Sequence, residues 1–99
     1  MQSHYSEVFE REMGYALGEW LLRLPLAIGP HPWTQEGDTA QVTLGHGVLA
    51  LAWRVLPPRA IALMRMPRLQ VRYTFSGMSD AERQTFMRRF DLYTQRGGG

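Results

Sequence analysis

The sequence predicts an α+β fold in the order α-β-β-β-α: a three-stranded antiparallel meander with two helices packed on one face. Two observations carry this reading. Residues 47–75, GVLALAWRVLPPRAIALMRMPRLQVRYTF, contain no Asp, Glu, Lys or Asn and are rich in apolar, β-branched and aromatic residues, the composition of paired strands. On either side stands a stretch with apolar residues at helical spacing.

Residues 5–24 read as the first helix. Tyr5, Phe9, Met13, Ala16, Leu17, Trp20 and Leu24 recur at intervals of three and four, giving one broad apolar stripe. Ser3 or Ser6 can cap its start, the early glutamates suit the positive end of the dipole, and Pro25 stops it. Gly14 and Gly18 within it suggest close approach of another element, or room made for Trp20 and Trp33. Residues 25–38, PLAIGPHPWTQEGD, read as a long ordered loop, because Leu26, Ile28 and Trp33 have apolar surface to bury; loops of that length are often functional.

Residues 39–44 alternate polar and apolar and form a strand, followed by a Gly45-His46-Gly47 hairpin turn. In the next strand, residues 48–55, the odd positions Leu49, Leu51, Trp53 and Val55 form the bulky face. The chain is expected to fold back at Leu56-Pro57-Pro58-Arg59. In residues 59–75 the apolar parity changes phase, and a one-residue bulge at Pro67 would reconcile the two halves. That bulge would gather Arg59, Arg65, Arg68 and Arg72 on one side of the sheet. Ser79-Asp80-Ala81-Glu82 is a capping box opening a helix over 80–94, with Phe86, Met87, Phe90 and Tyr93 on its apolar side. The ends, about 1–3 and 96–99, are expected to fray.

Ninety-nine residues make one domain, 1–99. Cysteine is absent, which removes disulfides and thiolate chemistry and fits a reducing, cytoplasmic setting. No apolar run approaches the ~18 residues a membrane helix needs, and the acidic N-terminus is unlike a signal peptide; no membrane association is expected. All eleven cations are Arg, each a planar fork suited to carboxylate or phosphate. They are unevenly placed. Residues 1–50 carry six acids and two arginines, net −4; residues 51–99 carry nine arginines and three acids, net +6.

No enzyme motif emerges. Lysine is absent, excluding Schiff-base chemistry, and the serines have turn or cap explanations. His4, His31 and His46 lack metal-ligand spacing, so no metal and no cofactor are expected. The Gly45-His46-Gly47 turn precedes a strand, so no helix dipole points at it. What remains is association. The sequence points to a non-enzymatic protein–protein module, binding a protein partner or itself as a homodimer through its sheet surface. One alternative is nucleic-acid or phosphate-ligand binding through Arg59, Arg65, Arg68 and Arg72; a stacking platform of exposed aromatics is lacking there, since Tyr73 and Phe75 share parity with Leu69 and Val71. A second is a small-molecule site under the 25–38 loop, lined by His31, Trp33, His46 and Trp53.

Overall fold

A computed structural model describes residues 4–95; the expected fraying at 1–3 and 96–99, and Ser3 as a cap, lie outside the described residues. Within them the α+β class holds, with five strands instead of three. The elements are β1 (Val8–Met13), α1 (Leu17–Ile28), β2 (Trp33–Glu36), β3 (Thr39–Leu44), β4 (Gly47–Ile61), β5 (Met64–Ser76) and α2 (Asp80–Thr94). All neighbours pair antiparallel, in the order β1-β5-β4-β3-β2.

The first predicted helix divides in two. Residues 8–13 are a strand, with Glu10 opposite Arg72 and Glu12 opposite Gln70. Phe9 and Met13 lie four apart, a spacing that both a 3.6-residue and a two-residue period satisfy, so the apolar pattern alone did not separate helix from strand. Helix α1 starts later and runs through Pro25 to Ile28. The expected stop at Pro25 fails because Trp20, Leu24, Ala27 and Ile28 are all fully buried, and that apolar stripe outweighs the one amide that proline removes. A Cβ built on Gly14 or Gly18 meets nothing within 4 Å, so neither glycine marks a close approach. The long loop likewise shrinks. Its first part is helical and residues 33–36 form β2, an edge strand paired with β3 through a two-residue turn at Gly37-Asp38.

The centre of the sheet follows the sequence closely. Leu49, Leu51 and Trp53 are buried opposite Phe75, Tyr73 and Val71. Both helices cover this face: the Trp20 ring lies 5.7 Å from Trp53 and 6.1 Å from Phe90, whose ring is in turn 5.7 Å from Tyr73. Helix α2 begins with the expected capping box, the Ser79 hydroxyl accepting from the Glu82 amide while the Glu82 carboxylate accepts from the Ser79 amide. The hydrogen bond from the Ser79 amide, above all, holds the Glu82 carboxyl below its ordinary range.

One charged pair lies on the helix-covered side. Arg11 shares that face with Phe9 and Met13, and its guanidinium meets the Asp91 carboxylate of α2 at 2.6 Å, both side chains being largely buried. The Tyr5 hydroxyl donates to the same carboxylate at 2.6 Å. Arg83 donates to the Tyr5 and Met78 carbonyls, both at 2.8 Å. This network ties the N-terminal strand to the C-terminal helix.

Candidate interaction surface on the hairpin arm

The hairpin β4–β5 does not turn at Pro57-Pro58. Strand β4 continues through both prolines to Ile61, and the chain reverses at Ala62-Leu63, where Ala62 adopts a positive φ of 53°. The two prolines are accommodated by a shift of register: Leu56 pairs with Arg68 and Arg59 with Met66, so the extra residue lies in β4 and not at Pro67. This bulge is what lets a double proline sit inside a strand.

The neighbouring strands stop short of this reach. β1 ends at Met13, opposite Leu69, and β3 begins at Thr39, opposite Ala52. Beyond them the ribbon projects as a two-stranded arm and stretches the molecule to 47 × 30 × 21 Å. No residue between Trp53 and Leu69 is buried. The arm nevertheless carries large apolar side chains: Val55, Ile61, Met64 and Met66 are 44–65 % exposed and Leu63 is 102 % exposed. Residues 54–68 contain four arginines, three prolines and no acid.

Pairing assigns these residues to faces, since directly opposed residues share one side of a sheet. On the side away from the helices lie Ile61 and Met64, then Arg59 and Met66, then Leu56 and Arg68. Continuing down the same side come Arg54 and Gln70 beside Glu12, and Ala52 and Arg72 beside Glu10.

The predicted four-arginine face is therefore partly assembled. Arg59, Arg68 and Arg72 share the outer side. Arg65 has the parity of Leu69 and points the other way; because the arm has left the helices behind, it meets solvent there and no bulge at Pro67 is needed to spare the core. The acidic N-terminal segment neutralises its basic neighbours within the chain. Arg72 pairs with Glu10 at 3.4 Å, and Arg68 and Arg59 both converge on Glu12, the latter at 3.6 Å. The Arg68 hydrogen bond holds the Glu12 carboxyl below its ordinary range.

Two hollows lie on this side, one at the base of the arm and one further down the sheet. A cleft of about 370 Å³ at the base of the arm is lined by Glu12, Met13, Arg59, Ile61 and Met66 among others. A shallower one of about 280 Å³ lies over Ala52, between Glu10, Arg54, Gln70 and Arg72; the small alanine leaves the depression.

Of the other predicted site, Trp53 is buried in the core and Trp33 is half-buried on the edge strand β2. A groove of about 620 Å³ beside α2 includes His31, Leu44, Met78, Phe86 and Arg89, with the His31 ring 5.8 Å from Phe86. Trp33 and Trp53 do not line it. His46 sits in the β3–β4 turn, 3.3 Å from the Glu82 carboxylate. Among the described residues no three His, Asp or Glu side chains are placed to hold a metal ion, and no helix is long and apolar enough to cross a membrane.

No family model matches this sequence, and no curated protein matches it either. The function is therefore argued from the surface itself. The exposed apolar arm was missed in the sequence because the prolines were read as its turn. The signal that could have found it was the run Ile61-Ala62-Leu63-Met64, apolar at both parities and so unable to bury more than half its side chains against one layer of helices.

Proposed function

We propose that the protein is a non-enzymatic association module whose contact element is the β4–β5 arm. The observation that supports this most directly is the wholly exposed Leu63, at the end of a ribbon whose Ile61, Met64 and Met66 are also exposed while the core is complete without them. Contiguous exposed apolar surface on a soluble chain marks an interaction site, and Met and Arg, the residues that populate this arm, are enriched where proteins meet. Methionine adds an adaptable, polarisable surface.

Nucleic acid is the weaker reading. Arg68 and Arg72 are already engaged by Glu12 and Glu10, Arg65 points to the opposite side, and the outer face offers no aromatic ring for a base to stack on.

A photo-crosslinking amino acid at Leu63, introduced in the producing cell, tests the association. Irradiation is expected to yield covalent protein adducts, and these should disappear when Ile61→Asp and Met64→Asp are added. Absence of any protein adduct, or adducts indifferent to those two changes, would overturn the proposal.

A further inference from the structure

We propose that the groove beside α2 binds a small amphipathic carboxylate, its apolar body lying along the groove and its head meeting Arg89. The groove opens at the end of the sheet opposite the arm, where β3 ends at Leu44, β5 ends at Ser76 and α2 begins at Asp80. It thus stands apart from the surface assigned to the arm. At about 620 Å³ it falls within the roughly 300–1,000 Å³ of small-molecule sites.

Its floor is apolar and fixed in place. Leu44 and Phe86, both part of the core, line it, and the His31 ring stands 5.8 Å from Phe86. The Met78 side chain occupies the position that a Cβ on Gly47 would take, so that glycine seats one wall. An apolar molecule laid here removes from water its own surface together with that of the half-buried Met78 and His31.

The cation at one end is held in position before any ligand arrives. The Arg89 Nη2 donates to the Leu26 carbonyl at 3.2 Å, one of the acceptors that the end of α1 leaves open. The guanidinium carbon lies 4.8 Å from the centre of the Tyr93 ring. A Cβ on Gly29 would come within 2.8 Å of Arg89 Nε, so the glycine that closes α1 with a φ of 74° also leaves the guanidinium its seat. None of these contacts is ionic. Among the described residues no carboxylate lies within ion-pair distance of Arg89. The fork keeps N–H donors beyond the one given to Leu26, and a carboxylate is their planar complement. Because the side chain is already ordered, little freedom is lost when an anion binds.

Charge varies along the groove. Glu82, the acid that lines it, stands two turns of α2 from Arg89, roughly 10 Å at ~1.5 Å per residue, and is engaged by the Ser79 amide and by His46 at 3.3 Å. The Arg89 end is therefore the end that accepts an anion. His31, two residues beyond Gly29, adds a ring N–H there.

Octanoate and octanol share an apolar chain and differ in the head, so NMR titration of the full chain with each tests the assignment. The unaltered protein should bind octanoate at least about tenfold more tightly than octanol, the scale of one charge-assisted hydrogen bond. Arg89→Gln should bring the two to equal affinity while leaving octanol binding unchanged. That ratio separates recognition of the head from the bond Arg89 gives α1, whose loss lowers the unfolding transition without changing relative affinities. Thr85→Trp, which fills the groove from an exposed position, should abolish binding of both with unchanged circular dichroism. No octanoate binding, equal affinity of the unaltered protein for the two, or octanoate binding that survives Thr85→Trp overturns the assignment.

Discussion

Arg11 shows how much can depend on one side chain that sequence spacing cannot place. It stands between Phe9 and Met13, and in a helical reading it is an ordinary solvated cation. In the strand it faces the helix-covered layer, where Asp91, eighty residues away, meets it. Nothing in the local pattern of either residue announces that pair, because a charge becomes a core residue only through its partner. Removing Asp91 takes from the largely buried Arg11 guanidinium its carboxylate partner. Asp91→Ala should therefore cost about 3–5 kcal/mol, a large share of the roughly 5–15 kcal/mol a domain of this kind possesses. The double change Arg11→Met, Asp91→Leu should recover much of that loss, since an apolar pair of similar volume carries no desolvation cost. Chemical denaturation of the three variants measures both. A loss below about 0.5 kcal/mol for Asp91→Ala, the scale of a surface substitution, would mean that water reaches the pair freely. By contrast, the Ser79 cap was fully legible, because its chemistry is confined to four successive residues.

Among the elements, those with a local signature were read correctly and those defined by neighbours were not. Leu49, Leu51 and Trp53 of β4, the later half of β5, and Phe86, Met87 and Phe90 of α2 each show one unambiguous period and are buried, whereas Val55 and Tyr93, expected on the same faces, are exposed. β2 has only four residues, three of them polar and exposed; as an edge strand it buries almost nothing, so it leaves almost no apolar trace. Helix α1 was truncated for the opposite reason, since a proline was given more weight than the four buried residues around it. That conflict predicts a measurable cost. Pro25 is exposed, so Pro25→Ala removes no packing and supplies an amide one turn above Leu21. An interior proline costs about 3 kcal/mol, and its loss gives back up to ~1 kcal/mol of freedom to the unfolded chain. A net gain of roughly 1–2 kcal/mol is expected. A thermal or denaturant transition that moves downward would show that the helix bends to suit the proline.

At the scale of the whole molecule, the structure separates a body that holds the core from an arm in which no residue is buried. Every buried apolar residue lies before position 54 or after position 68, and the arm's exposed leucine, isoleucine and methionines would be a liability if they served nothing. The sequence concealed this division because the arm has the same composition as the strands it prolongs; only the lengths of β1 and β3, set elsewhere in the chain, determine where the cover ends. The division can be tested by excision. Leu56 and Arg68 are paired, so replacing residues 57–67 with Asn-Gly closes the hairpin with a two-residue turn whose backbone suits the twist of the strands. No core contact is lost, the bulge is eliminated and the connection is shorter, so the closure entropy falls slightly. The excised protein should unfold within about 0.5 kcal/mol of the parent, the range of changes that touch no buried group. It should also sediment as a more compact particle and lose the Leu63-dependent contacts. A protein that fails to fold would show that the arm is part of the folding unit. One that folds and still binds its partner would place the interface on the sheet below the arm, around Ala50 and Thr74, and leave the projecting ribbon without the role assigned to it.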